Sequence, residues 1–217
     1  MRKSLVKKSN YTNLPSDLSP APKFQIEEEG DYEQLAINDF QFIGQTSKLL
    51  KFVDCHFQAC SFNQSKIYDI RLKHVRMEET DLANTKLDKA LIENVEFINC
   101  RMTGFKLIEG SLKNVLFKDS QLKLSQFRMS KFKNVKFVNC SLEETDFYGA
   151  NLSGTIFENC DLKKAELSAS KLNETDLRTS KIQGLNVSIE SLKGAIIDPT
   201  QINDLAGLLG VKIEWKQ

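Results

Sequence analysis

Residues 131–157 read KFKNVKFVNCSLEETDFYGANLSGTIF, and every fifth residue of this stretch, from Phe132 to Phe157, is large and apolar. The same spacing continues without a slip from Phe52 to Ile202. A helix repeats every 3.6 residues and a strand every 2.0, so neither element alone produces a period of five. The pattern therefore predicts that one long repeat determines the fold.

A second column of residues lies two positions before the large apolar ones. Because its members are mostly small or β-branched, we expect both columns to face the interior. The residues of the second column are Cys60, Ser65, Val75, Thr80, Thr85, Ala90, Val95, Cys100, Val115, Ser120, Ser125, Ser130, Val135, Cys140, Thr145, Ala150 and Thr155.

Segments twenty residues apart resemble one another, since residues 93–97 read ENVEF, residues 113–117 KNVLF and residues 133–137 KNVKF. This similarity predicts a turn of twenty residues. One side, called the phenylalanine wall below, would then stack Phe57, Phe97, Phe117, Phe137 and Phe157. Adjacent turns of a parallel sheet lie ~4.8 Å apart, so seven to eight turns make a rod of roughly 36 Å.

The five-residue unit resembles the repeat of the pentapeptide repeat family, A(D/N)LXX, as in ANLSG at residues 150–154. The resemblance extends over residues 50–202. It implies an all-β fold, a right-handed quadrilateral parallel β-helix in which each side is one pentapeptide.

The chain divides into four predicted segments. Residues 1–23 carry three of the four prolines and are expected to be flexible. Residues 24–50 are predicted to be a degenerate first turn or an N-terminal cap, because Ser47 breaks the apolar series. The β-helix itself is predicted for residues 51–197, and a C-terminal helix and tail for residues 198–217.

The C-terminal segment has the features of a short α-helix. Asp198 is a favourable N-cap, Pro199 suits the first helical position, and Gly210 is available to end the helix. This module either only caps the last turn or also joins two chains, and the amount of apolar surface favours a homodimer. The predicted dimerisation residues are Ile202, Leu205, Leu208, Leu209 and Trp215.

Composition argues against an enzyme. The sequence contains two histidines in outward positions and neither of the glycine-rich phosphate motifs GxGxxG and GxxxxGK[ST], so we expect no catalytic site and no cofactor. Five cysteines occupy inward positions without a CxxC pair, which indicates packing in a reducing compartment and no metal site. Without an apolar run of eighteen residues, no membrane partner is expected, and the chain is predicted to be cytoplasmic.

Charge is balanced overall, at a formal +1, but it is unevenly distributed. The side built around Phe52 and Leu72, called the basic wall below, is predicted to bear a basic stripe that either binds an acidic partner or is simply solvated. The stripe consists of Lys51, Arg71, Lys73, Lys113, Lys131, Lys133, Lys171 and Lys193. Residues 141–178 have net charge −4, from four basic and eight acidic residues. The acidic residues are Glu143, Glu144, Asp146, Glu158, Asp161, Glu166, Glu174 and Asp176.

The phenylalanine wall carries outward apolar residues in a zigzag. Four such residues on successive turns indicate a partner-binding patch, although single exposed apolar residues are normal. The predicted patch consists of Ile98, Leu116, Val138 and Ile156.

Within the family, the chain is similar in length, repeat number and terminal apolar helix to quinolone-resistance proteins of the Qnr and MfpA type. This resemblance implies a protein partner, DNA gyrase or topoisomerase IV, bound by mimicry of duplex DNA. B-DNA carries one charge per ~1.7 Å, so a faithful mimic ~36 Å long needs on the order of twenty negative charges, whereas this chain is close to neutral and its net negative charge, −4, is confined to residues 141–178. The alternative is a general protein-interaction scaffold with an unidentified partner, and direct nucleic-acid binding is disfavoured because few aromatic residues face outward.

Overall fold

The structure is a computed structural model and describes residues 11–209. Short parallel strands dominate this part of the chain, and most of them pair with a strand one turn away. The strands are β1 (Ser19–Pro20), β2 (Asp31–Glu33), β3 (Leu35–Asn38), β4 (Thr46–Lys48), β5 (Lys51–Val53), β6 (His56–Gln58), β7 (Lys66–Tyr68), β8 (Arg71–Glu78), β9 (Leu91–Ile98), β10 (Ser111–Lys118), β11 (Lys131–Val138) and β12 (Ile156–Glu158).

Strand register confirms the twenty-residue turn. In β8 to β11, Met77 pairs with Phe97, Phe97 with Phe117, and Phe117 with Phe137, so the ladder advances by one turn at each step. Each of these eight-residue strands passes a corner and supplies both the basic wall and the phenylalanine wall. These two sides consequently form the most regular surface of the molecule.

Two further sides are built from single parallel bridges. One row runs from Ser61 through Asp81 and Arg101 towards Lys181, and another runs from Lys66 through Lys86 and onward. Together with the two continuous walls, they close each turn with four sides of five residues. The predicted all-β, four-sided parallel β-helix is therefore confirmed.

The corners require a left-handed backbone in nearly every pentad. Asn94, Asn114 and Asn134 each have φ near +54°, at 55°, 53° and 53°. Asparagine tolerates this conformation because its short polar side chain can bond locally. Here the amide of Asn114 donates to Asn94 and that of Asn134 donates to Asn114, both at 2.8 Å. The corner residues thus form a ladder of their own.

The core contains both predicted columns. Phe97, Phe117 and Phe137 are buried and stack nearly parallel, with ring centroids 4.8 and 4.6 Å apart. Large residues also occupy positions of the small column and are buried, among them Ile70 and Phe105. The interior therefore accepts a large residue at a small position where its neighbours along the rod leave space.

The coil begins well before residue 51. Tyr32 pairs with Phe52 and Ile37 with Phe57, so residues in the predicted cap already follow the repeat. Ser47 interrupts the apolar series but not the geometry, because it is buried and pairs with Ile67. Within the segment predicted as flexible, Ser19–Pro20 pairs with β3, while residues 1–10 lie outside the described part of the chain.

The C-terminal end leaves the coil through a 3₁₀ turn (Pro199–Gln201), helix α1 (Ile202–Leu205) and a second 3₁₀ turn (Ala206–Leu209). Asp198 caps this segment as predicted, by accepting a hydrogen bond from the Thr200 N–H. Gln201 closes the open coil, since its side-chain amide donates to the carbonyls of Leu177 and Ser180 at 2.8 and 2.6 Å.

The prediction that Ile202 points inward, as the last residue of the apolar series, is wrong. Ile202 is 53% exposed because the chain has already left the coil and entered α1. Gly210, Trp215 and the side chain of Leu209 lie outside the described residues. Among residues 11–209 there is no helix of the length and apolar character that a membrane crossing needs.

Candidate interaction surfaces

The basic wall aligns most of the predicted stripe in two outward rows. Strand pairing places Lys51 beside Arg71, and Lys113 beside Lys133. Lys131 is linked through Asn151 to Lys171 by single bridges. Lys193 lies beyond the continuous strands, in the loop that follows the last complete turn. Seven of the eight predicted residues therefore share one flat side.

Carboxylates neutralise part of this stripe. Lys51 lies 2.8 Å from Asp31, Lys113 lies 2.5 Å from Glu93, and Lys193 contacts Glu190. The hydrogen bond from Lys113 lowers the pKa of Glu93 below its ordinary value. The remaining basic residues of the stripe have no carboxylate within 4.0 Å in the described part of the chain, and they are Arg71, Lys73, Lys131, Lys133 and Lys171.

Sequence analysis missed a second basic row. Lys66, Lys86 and Lys106 are bridged in successive turns on the neighbouring side of the coil. Within residues 11–209, none of the three makes an ion pair. Their spacing of twenty residues is visible in the sequence and is the signal that predicts this row.

The predicted apolar patch does not form a continuous exposed surface. Lys118 separates Ile98 from Val138, and Lys136 separates Leu116 from Ile156. Leu116 points outward, yet it is only 9% exposed. The expectation that it lies on the open surface is therefore wrong, because chain outside the coil must cover it.

The acidic residues of the C-terminal half are largely paired within the chain. Carboxylates of this set contact basic side chains at 2.5 to 3.7 Å, namely Glu143, Asp146, Glu158, Asp161 and Asp176. The Arg178 guanidinium hydrogen-bonds Asp176 and lowers the pKa of that carboxyl. Several of the same carboxylates also accept backbone N–H groups two residues ahead. The net −4 of this region is thus spread among local contacts.

An apolar cleft of about 200 Å³ lies at the C-terminal end, between the last turn and α1. Leu205 is buried against the coil, whereas Ile202 and Ile189 are about half exposed, at 53% and 50%. Of the predicted dimerisation residues, Leu205 therefore serves the cap, and Ile202 remains accessible. The cleft is lined by Ile189, Leu192, Ala195, Ile197, Ile202, Leu205 and Leu208.

The cysteines are free and buried. Burial raises the pKa of the Cys100 thiol to about 12, which keeps it protonated and unreactive at neutral pH. Of the two histidines, His56 faces Glu78 and His74 faces Asp54. In the described residues, no group of three or more His, Cys, Asp or Glu side chains could hold a metal ion.

Comparisons with known proteins match this description. The family model described as a pentapeptide repeat region matches residues 50–127 and 130–206. No curated protein matches the chain. Among solved structures, one match is full-length QnrB1, a plasmid-mediated fluoroquinolone resistance protein that is 18% identical to this chain. The match covers 84% of this chain and 100% of QnrB1, with a TM-score of 0.38. HetL from the cyanobacterium Nostoc, involved in heterocyst differentiation regulation, is 15% identical, with 78% and 90% covered and a TM-score of 0.31.

Proposed function

The chain belongs to the pentapeptide repeat family, and from that premise we propose that it is a non-enzymatic, cytoplasmic protein that binds other proteins through the flat walls of its coil, without a cofactor. One observation carries this proposal. The basic wall presents a set of cations, including Lys131 and Lys133, that no carboxylate of the described chain neutralises. The partner that fits this wall has an acidic surface.

The geometry of the wall favours recognition of a folded partner. Parallel strands hold the outward side chains in rows ~4.8 Å apart, so little backbone order is lost on binding. Charge complementarity of this kind mainly increases the association rate and the specificity. Leu91 adds an apolar contact at the centre of the wall, because it is 48% exposed between Arg71 and Ser111.

DNA gyrase or topoisomerase IV is the specific partner suggested by the resemblance to Qnr-type and MfpA-type proteins. Length, repeat number and the terminal apolar helix support this hypothesis. The internal pairing of Asp146, Glu158 and Asp176 opposes mimicry of DNA, since these carboxylates already have cationic partners. A topoisomerase would therefore have to be bound by another surface. The alternative remains a general interaction scaffold with a different, unidentified partner.

Charge reversal on the basic wall should strongly reduce partner capture. We expect Lys131→Glu combined with Lys133→Glu to reduce the captured partner at least tenfold, because two attractive contacts become repulsive. Affinity capture from the source cytoplasm measures this. The matched control, Lys66→Glu with Lys86→Glu, makes the same change in net charge on the neighbouring side and should leave capture unchanged. Equal loss in both variants would point to general electrostatics and reject the wall.

Supercoiling assays with purified DNA gyrase separate the two candidate partners. The protein is titrated with and without a quinolone, and the double variant Lys131→Glu, Lys133→Glu is run beside the wild type. Protection or inhibition that is lost in the variant would favour gyrase. If the wild type at micromolar concentration leaves supercoiling and drug poisoning unchanged, the topoisomerase hypothesis is removed and the general scaffold remains.

We further propose that the C-terminal cleft joins two copies of the chain. Ile202→Asp should convert a dimer into a monomer in light scattering, because it places a charge on an exposed apolar contact without disturbing the buried Leu205. Ile43→Asp is the matched control, since Ile43 is 52% exposed near the opposite end of the coil. A dimer that survives Ile202→Asp would place the interface elsewhere.

A further inference from the structure

One outward row of the phenylalanine wall is covered from outside. Strand pairing aligns the row from Ala36 through five further turns, and its residues are Ala36, His56, Arg76, Glu96, Leu116 and Lys136. Glu96 is fully buried and Leu116 is 9% exposed, whereas Ile156, the next residue of the row, is 38% exposed. Side chains that point away from the core can be buried only by chain lying over the wall.

Residues 11–18 are positioned to provide that cover. Ser19–Pro20 pairs with β3 at the start of the row. At the other end of the segment, Thr12 is buried, at 6% exposure. Burial also raises the pKa of the Tyr11 hydroxyl, and the charge of Lys136 opposes this rise, so Tyr11 lies close to Lys136.

The length of the segment agrees with this path. Pro20 pairs with Ala36 at the edge of the sheet, so Pro20 and Lys136 are six strands apart, which corresponds to about 29 Å along the rod. The ten residues from Tyr11 to Pro20 make nine steps and span at most ~30 Å when extended, so Tyr11 approaches Lys136 with the length of both side chains included. Residues 16–17 form a turn, so we infer that the part of the segment lying along the wall is residues 11–15.

We propose that this row of the phenylalanine wall is a binding groove for an extended peptide, and that residues 11–18 are its intramolecular occupant. The occupant reads YTNLPSDL and has half-buried apolar side chains at Leu14 and Leu18. A partner that fits the groove is an extended segment of the same chemistry, with apolar side chains spaced along a polar backbone. This site is separate from the basic wall and does not depend on the function proposed for it.

The occupant is held in a way that permits exchange. One oxygen of Glu96 binds Arg76 at 2.7 and 2.8 Å, but Oε1 is buried without a hydrogen-bond partner in the described structure. The Thr12 hydroxyl is likewise buried and without a partner there. Within residues 11–209, no backbone-to-backbone hydrogen bond joins residues 12–18 to the coil. When the segment is released, water can hydrogen-bond Glu96 Oε1 and the Thr12 hydroxyl. The free energy gained by hydrating these two groups offsets part of the free energy lost with the apolar contacts of the segment.

Peptide competition on the full chain tests the groove. The probe is a fluorescent synthetic peptide of residues 11–20, titrated against the wild type and against Leu14→Ser combined with Leu18→Ser, which weakens the intramolecular occupant. We expect the double variant to bind the probe at least tenfold more tightly, because the wild-type segment competes at high effective concentration. Equal affinity for both proteins, or no binding by the variant, would overturn the proposal.

A second substitution locates the binding on the wall. Leu116→Asp, added to the double variant, should weaken probe binding at least tenfold, whereas Leu91→Asp on the basic wall should not. Amide hydrogen exchange in residues 12–18 provides an independent measurement. It should be at least tenfold faster in the single variant Leu116→Asp than in the wild type and unchanged in Leu91→Asp. Equal exchange in the wild type and Leu116→Asp would show that the segment lies elsewhere.

Discussion

Replacing Phe117 with alanine will lower the free energy of unfolding by about 3–5 kcal/mol, the range measured for large aromatic residues removed from a core. Phe117 is 1% exposed and lies between Phe97 and Phe137 in the parallel ring stack. Alanine leaves a cavity that the neighbouring rings cannot fill, because the strand ladder on both sides fixes their height. Urea denaturation measures the loss.

Leu124→Ala is the control for this experiment. Leu124 is also large and apolar, but it occupies a corner and is 49% exposed, so we expect a change within about 0.5 kcal/mol. The slope of the unfolding free energy against urea concentration should be compared as well, because it reports how much surface is exposed on unfolding. Stability in a solenoid is a sum of contacts between neighbouring turns, so the slope indicates how many turns unfold together. A loss for Phe117→Ala no larger than that of the control would contradict the stacked core.

Ser130→Ala will destabilise the coil by about 2–3 kcal/mol, although it removes only one oxygen atom. The Ser130 hydroxyl is fully buried, donates to the Leu107 carbonyl at 2.7 Å and accepts from the Gly110 N–H at 2.9 Å. Alanine leaves both backbone groups buried without these partners, and each unsatisfied group costs about 1–3 kcal/mol. Thermal and urea unfolding of the variant measure the effect.

The matched control is Ser141→Ala, at a half-buried outward position one residue after the small column. We expect it to change stability by less than about 0.5 kcal/mol. Equal effects of the two substitutions would show that the inward serines only fill space. The expected difference would instead explain why serine and threonine recur in this column, as they hydrogen-bond backbone groups that the corners leave unpaired.

The direction of each side chain could be predicted from the sequence because it is a local property. In a five-residue side, the large residue and the residue two before it both point inward, so the pattern assigned Phe52, Cys100 and Leu152 to the core, where they are buried. Phe105 shows the limit of judging by size. It occupies a small position between Thr85 and Ser125, whose modest volumes leave space for the ring, and only the stacking of turns reveals this compensation.

The surface was harder to predict because exposure depends on distant parts of the chain. Leu116 was correctly assigned an outward direction, but its burial is set by residues about one hundred positions earlier. Strand pairing aligns seven of the eight residues of the predicted stripe, whereas the pairing of Lys51 with Asp31 and of Lys113 with Glu93 depends on the partner across the turn. The sequence alone could not show which charges remain unpaired.

The five-residue period by itself determined that one long repeat sets the fold, and the resemblance of its unit to the pentapeptide repeat implied the four sides of the coil. The similarity of segments twenty residues apart predicted the length of the turn and the residues that stack in the core. Only the tertiary structure decided which outward residues are accessible: Leu116 is covered and Ile202 is exposed, because both depend on where the chain goes when it leaves the repeat. Periodicity is a property of neighbouring residues, whereas surface accessibility is created by segments that have no period.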